Sequence, residues 1–324
     1  MERSQSGTRS PSSLQSQRQQ QQQLLIGYIL SRKKLSKLRF DQFLLLCKQS
    51  HIDTVELTHD YFKQSNVRLP QLIIHKLEDD TKHDSLNEKI RSLSKSSTII
   101  LDEFESISKV LNRYKQYSLL DSGKNHYIVP PFIHVTKNDN ESMIEKMLIN
   151  NQISFPIMCK PIQAHGGKSH DMKLIFDVEH LNDIDKPCVL QQFIDHDGVL
   201  FKVFAIGRDN YHIVRRNSIR NLHDHPSRDT ISFHSSEVSS SQAAHELLST
   251  NQIIDIMFDH TIVNTIIKTV QNLFELNLVG IDIFIDRNTG DYAVIDVNYF
   301  PGYEGITDFS TQLFHLCQHL LQVS

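Results

Sequence analysis

Two short apolar runs near the C-terminus, Val279 to Ile285 and Tyr292 to Val297, are joined by a connection containing Arg287-Asn288-Thr289-Gly290. β-Branched residues flanking a connection that holds Asn and Gly predict an antiparallel hairpin. Each run carries an acid where a buried strand should be apolar, Asp282 in the first and Asp296 in the second. Asn298 follows Asp296 by two, so both side chains leave the same face of the strand. Two carboxylates and an amide oxygen on neighbouring strands form a hard oxygen set suited to Mg2+. Either acid alone reads equally well as a satisfied core residue. The pair with Asn298, just before the turn Phe300-Pro301-Gly302-Tyr303-Glu304-Gly305, points to metal.

The rest of the chain must supply a scaffold and a partner for such a site. Its 324 residues, 39% hydrophobic and 22% charged, are those of a soluble globular protein with room for two domains. A formal net charge of −4 gives no bulk attraction to nucleic acid or an anionic membrane, so an anionic ligand needs a local basic cluster. Cys47, Cys159, Cys188 and Cys317 contain no C-x-x-C pair and read as reduced core thiols rather than a disulfide framework or zinc site. No run of about 18 apolar residues and no signal-peptide core is present, which predicts a cytoplasmic protein with access to the nucleus.

Residues 1 to 23 are Ser, Gln and Arg with almost nothing apolar, a composition that predicts a disordered tail. Folding is expected from Leu24, with strands at Leu24–Leu30, Asp53–Leu57, Gln71–His75 and Thr98–Leu101. Between them lie an amphipathic helix around Leu35–Lys48 and a polar helix near Ser85–Leu93. This β-α-β alternation implies a small parallel sheet flanked by helices, ending near residue 110. A helical stretch from Ile107 to Leu120 and a helix over Glu141–Asn150 follow, separated by Pro130-Pro131. Short strands are expected at Phe155–Pro161, Met172–Phe176, Cys188–Ile194, Val199–Gly207 and Tyr211–Val214. A polar Ser-, His- and Arg-rich segment, about 217 to 244, reads as a mobile loop. Helices at Asp259–Leu276 and Asp308–Leu321 bracket the hairpin. The second part, 111–324, is therefore α+β.

Lys160 ends the apolar run Phe155–Pro161, and Ala164-His165-Gly166-Gly167-Lys168-Ser169-His170 follows. A glycine pair with basic neighbours between two strands is what a phosphate-covering loop needs, although a surface turn explains the same residues. Gly167-Lys168-Ser169 is not a P-loop: position 162 is Ile162 rather than Gly, and a strand rather than a helix is expected next. The stretch Gln191-Gln192-Phe193-Ile194, leading to a second strand with Lys202, suits an adenine slot as well as an ordinary hairpin. Arg215, Arg216, Arg220 and Arg228 add local positive charge.

Taken in order, the lysine-ended strand, glycine loop, hinge strand and acids in Gly280-Ile281-Asp282 and Val294-Ile295-Asp296-Val297-Asn298 resemble the ATP-grasp fold. More closely, the chain resembles the inositol 1,3,4-trisphosphate 5/6-kinase / inositol-tetrakisphosphate 1-kinase family. The resemblance runs from about Ile26 to the C-terminus. It includes Gly27-Tyr28 with Ser31-Arg32-Lys33-Lys34, Ile73-Ile74-His75-Lys76-Leu77, Pro130-Pro131-Phe132, Lys202-Val203-Phe204 and Phe300-Pro301-Gly302-Tyr303-Glu304-Gly305.

That resemblance implies an ATP-grasp domain preceded by a small parallel α/β domain, and transfer of the ATP γ-phosphoryl to a ring hydroxyl of an inositol tris- or tetrakisphosphate. It implies Asp282, Asp296 and Asn298 as ligands of magnesium, two ions per site. Arg113, Lys160, Gln191 to Ile194, Lys202, Ser218, Ser235 and Ser239 are implied ATP contacts. Lys34, His170, Lys202, Asn298 and Gly302 are implied inositol-phosphate contacts, and His165, His170 and Lys202 are the candidates nearest the chemistry. Two departures from the family pattern stand out: His165-Gly166-Gly167-Lys168-Ser169 replaces Gly followed by Thr-Asn-Ser, and Arg216-Asn217-Ser218 replaces Arg-Pro-Ser. The expected partners are ATP and soluble inositol polyphosphates, with neither nucleic acid nor membrane, acting on a monomer. The competing functions are a carboxylate–amine ligase, which shares the ATP and metal residues, and a non-catalytic inositol-phosphate-binding protein.

Overall fold

The structure, a computed structural model, describes residues 23–77, 84–222, 225, 228–239, 245–248 and 258–323. The first sheet is built from β1 (Leu25–Ile29), α1 (Arg32–Lys37), α2 (Phe40–Gln49), β2 (Asp53–Glu56), α3 (His59–Phe62), β3 (Leu72–His75), α4 (Asp84–Ser94) and β4 (Ile99–Leu101). Its strands run in the order β2-β1-β3-β4, all parallel, as the alternation of strands and helices requires. The single helix expected around Leu35–Lys48 is two helices. Arg39 adopts a left-handed conformation (φ 50°) between them, so α2 leaves in a new direction and buries Phe40, Phe43 and Cys47.

The chain continues through α5 (Phe104–Ser108), α6 (Arg113–Ser122), β5 (Phe132–Val135), α7 (Glu141–Asn150), β6 (Ile157–Pro161), β7 (Asp171–Ile175) and β8 (Cys188–Gln192). The stretch Ile107–Leu120 is thus also divided. Asn112 interrupts it, its side chain capping α6 by accepting from Lys115 N at 3.1 Å. Next come β9 (Val199–Ile206), β10 (Asn210–Asn217), β11 (Ile231–His234), α8 (Ser235–Ser239), α9 (His260–Phe274), β12 (Leu278–Ile285), β13 (Tyr292–Tyr299) and α10 (Phe309–Val323).

These strands form two antiparallel sheets, β11-β7-β6-β8-β5 and β10-β9-β12-β13. The edge strand β5, which follows Pro130-Pro131, was not expected from the sequence. Nor was β11: residues 228–239 of the supposed mobile loop hold a strand and a short helix. Ile231 pairs with Leu174 and Phe233 with Met172, and Phe233 and Val238 join an apolar cluster that orders the segment. The remainder of that loop, 223–224, 226–227 and 240–244, and tail residues 1–22 lie outside the described residues. Helix α9 buries Val263, Ile266, Ile267, Val270 and Phe274, an apolar stripe at helical spacing.

One buried carboxylate ties the first sheet to the third. Asp102, just past β4, accepts from Asn277 N (2.9 Å), Asn277 Nδ2 (2.8 Å) and Leu278 N (3.0 Å) at the start of β12. The position of the acid-bearing strand is thereby fixed against the N-terminal sheet. All four cysteines are free and buried.

Candidate active site

The hairpin is as its sequence predicts. In β12 and β13, Asp282 and Asp296 are register partners, and Gly280 faces Asn298. The register slips between Asp282 and Ile283, so Ile295 is a bulged residue beside the acids. A bulge re-aims side chains and releases a backbone group from the ladder. Here the Ile295 carbonyl accepts from Tyr117 Oη at 2.9 Å and Lys160 Nζ at 3.3 Å.

Across β12, strand β9 sets Lys202 directly opposite Asp282, and the two form an ion pair of 2.8 Å. Burial and the neighbouring Asp296 raise the Asp282 carboxyl pKa, while Lys202 and Lys160 oppose that rise. Asn298 Nδ2 donates to Asp296 Oδ2 at 2.8 Å, which leaves the amide oxygen as a donor atom for a cation. Two carboxylates opposed across one ladder with an adjacent amide oxygen fit a hard divalent cation. Among the described residues no three His, Cys, Asp or Glu side chains converge as a metal site, so any cation here is held by two carboxylates and an amide oxygen.

Lys160, at the end of β6, projects beneath the acids. Its ammonium donates to Tyr117 Oη (2.9 Å) and Gln191 Oε1 (2.8 Å) as well as to Ile295 O. All three acceptors are neutral. Burial therefore lowers its pKa to about 8, despite the opposing pull of Asp296 and Asp282. A cation held by neutral groups in a cleft is poised for an anion. Arg113, the first residue of α6, is buried, and its guanidinium donates to the carbonyls of Pro161 (2.7 Å), Gln163 (2.9 Å) and Ser169 (2.9 Å). It therefore fixes the glycine loop that joins β6 to β7. A surface turn was the simpler reading of that loop; it forms the rim of a cleft, and β7 rather than a helix follows it.

The cleft measures about 620 Å3, within the range of ligand sites. Of the residues singled out in the sequence, Arg113, Lys160, His165, His170, Gln191, Gln192, Phe193, Ile194, Lys202, Ser218, Ser235, Ser239, Asp282, Asp296, Asn298 and Gly302 all line it. Lys34 does not. Its ammonium donates to Phe300 O (2.6 Å) and to Pro301 O, and lies 4.2 Å from the Phe300 ring centroid, behind the turn. That turn is strained, with Phe300 at φ 37° and Tyr303 at φ 50°, and its outward carbonyls capture the lysine. Burial, then Lys76 and Lys37, lowers the Lys34 pKa to about 6.

The basic wall of the cleft on this side consists instead of Lys37 and Lys76. Lys37 pairs with Glu304 at 2.7 Å, and a Cβ built on Gly302 would lie 2.6 Å from its Nζ. Lys37 follows Lys34 by three, one turn along the same helix, so spacing could have offered it; Lys76 lies within a quoted motif. His196 is not singled out by the sequence, though it falls within the stretch from Gln191 to Lys202 that the family resemblance assigns to the nucleotide hinge. Its ring stacks on Phe284 at 3.5 Å, at the hinge that follows β8, with Nδ1 bonded to Ile194 O at 2.6 Å.

A cleft between two antiparallel sheets, with a half-buried lysine by a glycine loop and an acid pair opposite, defines an ATP-grasp protein. Solved structures agree in fold. The macrocyclase MdnC of Microcystis aeruginosa superposes with a TM-score of 0.58 at 12% identity, covering 91% of this chain and 100% of that one. A D-alanine–D-alanine ligase from Bacillus anthracis gives 0.57 at 15% identity, covering 93% and 97%.

The chain belongs to the inositol 1,3,4-trisphosphate 5/6-kinase family: that family's pre-ATP-grasp domain matches residues 25–107 and its ATP-grasp domain residues 121–321. Similar curated proteins are inositol-tetrakisphosphate 1-kinases. Those of Danio rerio and Xenopus laevis are 36% and 35% identical, each over 92% of this chain and 79% of the relative. One from Arabidopsis thaliana is 28% identical over 90% of this chain and 94% of the relative.

Proposed function

We propose that this chain is an ATP-dependent inositol polyphosphate kinase that phosphorylates a ring hydroxyl of inositol tris- and tetrakisphosphates, as its relatives' names describe. The observation that carries the reading is the joining, in one cleft, of the Asp282–Asp296 pair, the half-buried Lys160 and a wall of further cations. Phosphoryl transfer asks little covalent chemistry of a protein, and much charge neutralisation and in-line positioning.

In this reading Lys160 binds ATP phosphate oxygens, exchanging its neutral acceptors for anionic ones. Arg113 acts through the loop it holds, setting the height of Gly166 over the phosphates. Gln191 to Ile194 and the His196–Phe284 stack form the adenine wall, while Ser218, Ser235 and Ser239 complete the nucleotide side. Asp282, Asp296 and Asn298 would hold Mg2+, which supplies neutralisation of charge on the transferred group when bound. Lys202, paired with Asp282, is placed to reach either substrate. His165, His170, Lys37, Lys76 and the Gly302 turn face the inositol phosphate.

The parallel unit, 24–110, lies on the inositol-phosphate side and residues 111–324 hold nucleotide and metal; the two family segments support that division. Four free, buried cysteines suit a reducing, cytoplasmic setting. Among the described residues no helix is long and apolar enough to cross a membrane.

The test is to incubate the protein with Mg-ATP and a panel of inositol phosphates, and separately with carboxylate and amine pairs, while following ADP release. ADP formed only with inositol phosphates, alongside a more highly phosphorylated ring, is the expected result. ADP formed only with the carboxylate set would replace the kinase by a ligase.

A further inference from the structure

The cleft rim carries a pair of imidazoles with a geometry of its own. His170 closes the glycine loop before β7, and His234 ends β11, where it pairs in register with Asp171. A backbone bond from Ser235 N to His170 O, 2.8 Å, locks the two segments together. Their imidazole centroids stand 5.2 Å apart at 49°. His170 Nδ1 meets Ser235 Oγ at 3.0 Å, and His234 Nδ1 meets Ser236 Oγ at 2.6 Å. The backbone N of Ser236 also donates to His234 Nδ1 at 3.3 Å. An amide N–H only donates, so Nδ1 of His234 is an acceptor and the neutral ring carries its proton on Nε2. His234 thus presents a donor whether neutral or charged.

His170, His234, Ser235 and Ser236 all line the cleft. Burial, then the neighbouring His234, lowers the pKa of His170, and an anion against the ring would offset that. They sit at the outer rim, His170 exposed and His234 half-buried, whereas Lys160 and Gln191 line the deeper nucleotide side. In the reading above His170 faces the inositol phosphate and Ser235, 3.0 Å from it, faces the nucleotide, so the ring pair stands where the two ligands meet, and the anion assigned to it here is a phosphate of the acceptor.

We propose that His234 is a second imidazole ligand for the inositol phosphate, clamping with His170 one phosphomonoester of the acceptor ring. The proposal rests on the kinase reading above. It assigns the strand-end residue of β11 to substrate specificity: an acceptor without a phosphate at that ring position loses two donors together.

The experiment measures KM for inositol 1,3,4-trisphosphate and for ATP in the parent, His234→Leu, His234→Asn and the double variant His170→Leu/His234→Leu. His234→Leu should raise the inositol phosphate KM about ten-fold, as for loss of one hydrogen bond to a charged group, with the ATP KM within about two-fold. His234→Asn keeps an N–H donor and should recover part of that loss, which a structural role for the ring would not predict. The double variant should cost less than the product of the two single effects, since both donors serve one phosphate. If His234→Leu does not fold, His234→Asn carries the test with a smaller rise of about three-fold. An unchanged inositol phosphate KM in folded variants, or a rise confined to ATP, overturns the clamp. A parent protein inactive on every inositol phosphate overturns the kinase reading itself, a result separable from loss in the variants alone.

Discussion

Replacing Lys160 by methionine tests the electrostatics of the site without needing the acceptor. In the ligand-free protein its ammonium rests on Tyr117 Oη, Gln191 Oε1 and Ile295 O, and burial lowers its pKa from 10.5 to about 8. For a base with a depressed folded value, the unfolded chain binds more protons between those two values. Stability therefore rises with pH across that window. Integrated from pH 7 to pH 9.5, Lys160 alone contributes a rise of about 2 kcal/mol. Chemical denaturation of the parent and Lys160→Met at both pH values isolates it. The stability difference between them should shift by about 1–2 kcal/mol in the parent's favour at the higher pH. Lys34, whose pKa is also lowered, is present in both proteins and cancels. Saturating Mg-ATP should flatten the parent's rise, because phosphate oxygens keep the lysine charged. Identical pH dependence in the two ligand-free proteins would refute the argument that Lys160 is a cation awaiting an anion.

Asp296→Ala should lower turnover by at least about 10³ while leaving the protein folded, on the scale of losing a major electrostatic contact to developing charge; steady-state rates and a thermal melt check both. Lys37→Ala should raise the inositol phosphate KM about five-fold or more and leave stability within about 1 kcal/mol, since its pair with Glu304 is exposed. Lys34→Met should act through stability instead. The cost of its buried ammonium is present below about pH 6 and relieved above it, so the parent should gain on the variant between pH 5 and pH 8 in urea titrations. Gly302→Ala, whose methyl would displace the Lys37 side chain, should reproduce the KM effect of Lys37→Ala with little change in melting temperature.

The parts of the fold that could be read from the sequence were those with a periodic signature. β12 and β13 are β-branched apolar runs around a turn holding Asn and Gly, and an acid at an apolar position in each marks where the hairpin serves chemistry. The N-terminal β-α-β pattern is similarly explicit. What escaped depended on tertiary context. Arg39 breaks a helix in a left-handed conformation that nothing local demands. β11 is a polar segment held by Phe233 and Val238 against Met172 and Leu174. Lys34 and Lys37 are both lysines on one short helix, and only the packed position of the Phe300–Pro301 turn decides which faces the cleft. His234 and His196 gave no pattern, because their placement comes from strand pairing and stacking rather than spacing.

As an inositol phosphate kinase, the protein passes the γ-phosphoryl of ATP to a ring hydroxyl of its acceptor. Single-turnover reaction with γ-32P-labelled ATP, Mg2+ and inositol 1,3,4-trisphosphate follows that atom directly. Label is expected on the inositol ring as a phosphomonoester that survives hydroxylamine, in amounts matching ADP, and none with Asp296→Ala. Label released as inorganic phosphate or trapped as a hydroxylamine-sensitive acyl phosphate, with no labelled ring product, would contradict it.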